Sequence, residues 1–185
     1  EEEERQVMER EETRKGIEVE ESERVKGMSV TMKWKAETGE GEQNRERNEE
    51  IITQARELNT LLLANNITPI FLKGTGNLLA GIYDDVAERM VGDIDFIFSK
   101  DDYPKAIKLL RNFDYSEVIK YDYHYPEGKH YRRHQKEHAI AAIEIHTEIL
   151  GIEKYRKEFN YSVVEKDSQV INEVRVLSYA SKLNL

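Results

Sequence analysis

Asp93 and Asp95 lie two residues apart inside the apolar run of residues 91–98. A β-strand repeats every second residue, so both carboxylates leave one face. Acids on an otherwise buried strand need a partner, and a hard cation such as Mg²⁺ takes one or two carboxylates while keeping water or phosphate at its other positions. Glu144, between Ile143 and Ile145, repeats the apolar-acid-apolar setting and supplies a third carboxylate, with Glu148 as a weaker substitute. Three carboxylates from two adjacent strands suit two Mg²⁺ ions about 3.5–4 Å apart, the arrangement that clamps the oxygens of an in-line phosphoryl or nucleotidyl transfer. The plain alternative is a solvated strand edge.

Lys73-Gly74-Thr75 follows a short apolar run and precedes a helical pattern. That places Gly74 and Thr75 at a helix N-terminus, where free N–H groups and the positive dipole end favour an anion such as phosphate. A tight turn capped by Thr75 is the competing reading. The glycine spacing is not that of a P-loop. His130, His134 and His138 are spaced by four and would line one face of a helix as zinc ligands, with His146 nearby. Lys129, Arg132, Arg133 and Lys136 crowd the same segment, and cations disfavour a second cation. A basic strand with Tyr123, Tyr125 and Tyr131 better lines a path for polyphosphate or an anionic acceptor, with Arg132 and His138 as candidate contacts. His146, two residues after Glu144, shares its strand face and is a candidate to orient the acid or the acceptor.

The elements that must position these groups follow from hydrophobic periodicity. Ile51, Ile52, Ala55, Leu58, Leu62 and Leu63 predict an amphipathic helix over residues 49–65. Residues 68–72 read as a short strand, 75–83 as a helix capped by Thr75, 91–98 as a strand, and 103–112 as a helix. Residues 115–125 and 130–134 read as a strand and its return, 139–149 as a further strand, 161–176 as one or two more, and 177 onward as a helix. That last pattern is still running at the end, as in a fragment of a longer chain. Together they predict an α+β domain with a mixed, mostly antiparallel sheet flanked by helices.

Composition divides the chain. Residues 1–50 carry 17 Glu against 10 Lys+Arg, whereas residues 51–185 carry 20 acids and 18 bases. Residues 1–48 are therefore read as a charged appendage, with a solvated helix or tail, a candidate β-hairpin over 17–35 and a linker over 37–48, and residues 49–185 as the folded domain. A net charge of −9 argues against non-specific nucleic-acid binding. No apolar stretch approaches the roughly 18 residues of a membrane span, and the acidic start is unlike a signal peptide, which points to the cytoplasm. The absence of Cys removes disulfides, thiolate zinc sites and Cys nucleophiles.

The order Gly74-Thr75, Asp93-Ile94-Asp95, Ile143-Glu144-Ile145 resembles the DNA polymerase beta-type nucleotidyltransferase superfamily, with its Gly-Ser or Gly-Gly turn, Asp-x-Asp pair and later third acid. More closely, Phe71-Leu72-Lys73-Gly74, Tyr83, Arg89, Gly92-Asp93-Ile94-Asp95 and Ile143-Glu144-Ile145-His146 resemble a largely uncharacterised bacterial nucleotidyltransferase family with Leu-Lys-Gly, Arg-x-x-Gly-Asp-x-Asp and Glu-x-His motifs. The likeness covers about residues 50–180, and Thr75 departs from the commoner Ser or Gly. It implies a polymerase beta-like fold. It also implies Mg²⁺ or Mn²⁺ on Asp93 and Asp95, with Glu144 as third ligand or activator of the acceptor hydroxyl. Gly74, Thr75 and Gly92 would hold the phosphates of a nucleoside triphosphate such as ATP, and Lys73 and Arg89 would neutralise developing charge. The acceptor, small molecule or protein, stays open. Two alternatives stand beside this: a catalytically silent relative that binds nucleotide or a partner, and an antitoxin-like transferase that places AMP on a protein.

Overall fold

Alternation in the two acid-bearing segments produces the central strands of a seven-stranded sheet. The computed structural model describes residues 39–118, 131–149, 156 and 160–178. The strands are β1 (Ile70–Phe71), β2 (Asp93–Ile97), β3 (Ser116–Glu117), β4 (His134–Gln135), β5 (Ala142–His146), β6 (Ser168–Ile171) and β7 (Val174–Leu177), in the order β3-β4-β5-β2-β1-β7-β6. β2 pairs parallel with β5 and β1 parallel with β7, and the other neighbours are antiparallel. The sheet is thus mixed, as expected. The expected hairpin at 17–35, most of the strand at 115–125 and the helix beyond 178 lie outside the described residues.

Even and odd positions of β2 and β5 have opposite fates. Ile94, Phe96, Ile143 and Ile145 are fully buried against α1 (Gly39–Ala64), α2 (Lys73–Leu79) and α3 (Tyr103–Asn112), which share one core with them through residues such as Leu58, Leu79 and Leu110. Each such side chain removed from water contributes roughly 1.5–3 kcal/mol. The opposite face carries a smaller apolar cluster, Ile70, Leu72, Ile97, Ile149, Val164 and Leu177, into which α4 (Tyr161–Asp167) packs. Beside that cluster, on the same face, lie the acids.

Three elements depart from the sequence reading. The stretch read as a linker is helical from Gly39. Its first turns are held by polar side chains rather than apolar ones: Asn44 Nδ2 donates to Ala87 O at 2.6 Å, Asn48 Nδ2 to Val86 O at 2.6 Å and Arg89 O at 2.7 Å, and Arg45 pairs with Asp85 at 2.7 Å. Residues 161–167 form a helix where a strand was expected, begun by Asn160, whose side chain accepts from Val163 N. The expected strands follow as the β6–β7 hairpin, whose two turn residues, Asn172 and Glu173, both have positive φ, the geometry that matches strand twist. Finally, α2 starts at Lys73 with Leu72 at its cap position, so Thr75 is inside the helix and caps nothing. α2 lies so close to β1 that a Cβ on Gly76 would stand 2.7 Å from Phe71 O. Among the described residues no helix is long and apolar enough to cross a membrane.

Candidate functional site

The parallel register of β2 and β5 sets Asp95 directly beside Glu144 and Ile97 beside His146. With the period of 2, Asp93, Asp95, Glu144 and His146 emerge on one face. Asp95 and His146 are buried, at 2% exposure each, and Asp93 and Glu144 are partly covered. Asp95 Oδ1 accepts Lys73 Nζ at 2.5 Å and lies 2.7 Å from His146 Nε2. Lys73 Nζ is also 3.8 Å from Glu144 Oε2. On the other side, one guanidinium nitrogen of Arg133 donates to Asp93 Oδ2 at 2.8 Å and to Glu144 Oε1 at 2.6 Å, and Arg133 Nε adds a bond to Glu144 Oε1 at 3.1 Å. Three carboxylates are thus stitched together by two cations.

The two aspartates respond oppositely to this crowding. Burial raises the Asp93 carboxyl above its ordinary value, and the Asp95 and Glu144 charges add to that rise against the pull of Arg133 and Lys73. Burial also pushes Asp95 up, but the hydrogen bonds and charges of His146 and Lys73 outweigh it and hold Asp95 below the usual carboxylate range. Asp95 is therefore the anchored anion of the group.

The backbone around the acids is tied to the turn at Lys73. Leu72 N donates to Asp95 O at 2.9 Å, and Thr75 Oγ1 donates to Asp93 O at 2.7 Å. Lys73 itself has φ of 49°, a left-handed conformation that costs a non-glycine residue free energy and aims its side chain at Asp95. The Thr75 hydroxyl, fully buried and committed to Asp93 O, is not presented to a ligand.

Other expected site residues lie elsewhere. Arg89 is exposed, with no side-chain partner among the described residues, and its carbonyl accepts from Asn48. Gly92 is exposed, with open space where a Cβ would stand, and its carbonyl accepts from Arg47 at 3.4 Å. Glu148 pairs with Lys100 at 2.5 Å, outside the acid group. Arg132 reaches Glu117 at 3.7 Å rather than the acids, and His138 is an exposed turn residue with φ of 62° on the α1 side. The helical zinc reading of His134 and His138 fails because the segment is a strand and turn, with His134 buried and His138 exposed; His130 lies outside the described residues. A groove of about 920 Å³ also opens on the α1 side, between α1 and the β4–β5 turn, and so across the sheet from the acids.

Two residues escaped the sequence reading. Arg133 was passed over for its neighbour Arg132, yet strand parity separates them. His134 sits opposite Ile143 and shares its core-facing side, so Arg133 falls on the face of Glu144. Gly76, not Gly74, is the glycine that close approach demands; at Gly74 a Cβ would meet only Val91 methyl groups, the nearer at 3.0 Å.

Two carboxylates and an imidazole, Asp95, Glu144 and His146, bring one ligand atom each within 4.8 Å of one another. Oxygen-rich donors of this kind suit a divalent cation. No curated protein and no solved structure matches the chain. Asp93, Asp95 and Glu144 share one sheet face, and a family model described as an uncharacterised nucleotidyltransferase matches residues 15–184, all but the ends of the sequence, so the chain belongs to this nucleotidyltransferase family.

Proposed function

We propose that the protein transfers a nucleoside monophosphate from a nucleoside triphosphate to an acceptor hydroxyl at the Asp93–Asp95–Glu144 face, using Mg²⁺ or Mn²⁺. The observation that carries this is the pairing of Asp95 with Glu144 across β2 and β5, with Asp93 bridged to Glu144 through Arg133, in a chain of a nucleotidyltransferase family. The donor set fits the ion: carboxylate oxygens from Asp93, Asp95 and Glu144 would hold it. His146, hydrogen-bonded to Asp95 Oδ1, fixes which way that carboxylate points. When bound there, such a cation would supply charge stabilisation for the leaving pyrophosphate and would acidify the attacking hydroxyl.

The chain's own residues supply position and charge. Glu144, held by Arg133 and Lys73, would accept the acceptor's proton. Lys73 and the backbone N–H groups of the turn at Gly74 bind phosphate oxygens. The buried Leu72 and Ile97 on the same face exclude water from one side of the group. The polymerase beta-like arrangement of the sheet belongs to this proposal. Incubating the protein with each labelled nucleoside triphosphate, Mg²⁺ or Mn²⁺ and a cell extract tests it. Label becomes covalently attached to an acceptor with the wild-type chain and is lost with Asp93→Asn and Asp95→Asn variants that melt cooperatively; label transfer that survives both substitutions refutes the site.

A further inference from the structure

We infer that Arg133 is an exchangeable counter-ion: it closes the carboxylate group when no nucleotide is bound and passes to the phosphates when one arrives, so that metal and nucleotide bind as a coupled pair. This rests on the nucleotidyl-transfer reading above. One Arg133 nitrogen donates to both Asp93 Oδ2 and Glu144 Oε1, oxygens of two of the carboxylates that would hold a cation. Three carboxylates against Lys73 and Arg133 leave the group a single formal negative charge. A divalent cation entering alone must compete with the guanidinium for those oxygens and sets its charge beside those of Lys73 and Arg133. A cation entering with a polyphosphate brings new acceptors. The planar fork of an arginine fits phosphate oxygens as well as it fits a carboxylate.

Arg133 holds the more open of the acids. Its side chain is 38% exposed and its partners Asp93 and Glu144 are 29% and 13% exposed, whereas Lys73, itself 44% exposed, bonds an Asp95 that is only 3% exposed. Lys73, by contrast, is tied to the buried Asp95 and to a fixed left-handed turn. The exchange is therefore assigned to Arg133 and not to Lys73.

Titration calorimetry tests this with Mn²⁺ and an α,β-methylene nucleoside triphosphate, which binds but cannot be cleaved at the transferred position. In the wild-type chain each ligand tightens the other by about tenfold or more, within the usual range of coupling between sites. Arg133→Gln binds Mn²⁺ alone about tenfold more tightly, binds the analogue more weakly, and loses most of the coupling. Arg133→Lys, which keeps the charge but not the fork, stays near wild type for Mn²⁺ alone. Mn²⁺ affinity that is unchanged or weaker in a folded Arg133→Gln variant overturns the inference, as does a Lys variant that behaves like Gln. If those results come with label transfer intact in the wild type, only the role of Arg133 falls. A wild-type chain that binds neither ligand, alone or together, sinks the nucleotidyl-transfer reading as well.

Discussion

Replacing Gly76 by Ala sets two known energies against each other. In a helix interior Ala is favoured over Gly by about 0.8–1.0 kcal/mol. The added Cβ would stand 2.7 Å from Phe71 O, whereas ordinary contact begins near 3.4 Å, so α2 and β1 must part by about 0.7 Å. The obstacle is backbone, which has no rotamer to escape into, and α2 is pinned by Gly76 N to Leu72 O and by Thr75 Oγ1 to Asp93 O. Overpacking of this kind costs about 1–3 kcal/mol. A backbone obstacle at 2.7 Å puts the cost at about 2–3 kcal/mol, the upper part of that range, so the balance is a net loss of roughly 1–2 kcal/mol and a Tm lower by about 2–8 °C for a domain of this size. Gly74→Ala, facing only Val91 methyl groups, serves as the internal comparison and changes Tm little. Differential scanning calorimetry of the two variants decides the matter. A Gly76→Ala protein as stable as wild type, or less affected than Gly74→Ala, refutes the close-approach argument.

Gln54 satisfies both backbone groups of Ala141, donating to its carbonyl at 2.8 Å and accepting its N–H at 3.1 Å, and also reaches the Tyr115 hydroxyl. Gln54→Leu strands these buried groups and lowers stability by about 2–4 kcal/mol in denaturant unfolding; a loss below about 0.5 kcal/mol contradicts this reading. Burial holds the His134 imidazole below its ordinary value, against the opposing pull of the Arg132 carbonyl and Glu117 and with a small push from Arg111. With the folded value depressed, its contribution is fully present above the unfolded value of about 6.5 and is lost as pH falls through the lower folded value. Tm therefore drops on acidification from about pH 7 to 5, and it drops less steeply in a folded His134→Phe variant; parallel slopes for the two proteins reject the assignment.

How far the sequence carried the fold follows from what each element is made of. The helix expected at residues 103–112 is α3 itself, and β2 and β5 lie inside the runs expected at 91–98 and 139–149, because apolar spacing defines all three. The first turns of α1 were hidden because Asn44, Arg45 and Asn48 hold them through loop carbonyls and Asp85, contacts that leave no hydrophobic period. α4 was hidden by its paired valines, Val163 and Val164, which read as strand, although Asn160 carries a capping signal. Asp93, Asp95 and Glu144 were individually visible from their apolar flanks. That these two strands, expected to be adjacent, would run parallel with Asp95 level with Glu144 was not, since direction and register between strands some fifty residues apart leave no local trace. Arg133 was missed for the same reason: its face depends on the pairing of His134 with Ile143.

That register is fixed by the core, not by the acids. Sliding β5 one residue along β2 would turn Ile143 and Ile145 out of the main core and drive Glu144 into it. The slip would forfeit roughly 1.5–3 kcal/mol for each isoleucine and bury an unpaired carboxylate besides. The hydrophobic face thus selects one alignment, and that alignment brings the carboxylates together on the other face whatever their mutual repulsion. Lys73 and Arg133 are what make the result tolerable in the folded chain, each bridging two of the three acids. The groups that neutralise the protein's own charge are therefore, by position and chemistry, the groups best placed to meet a phosphate.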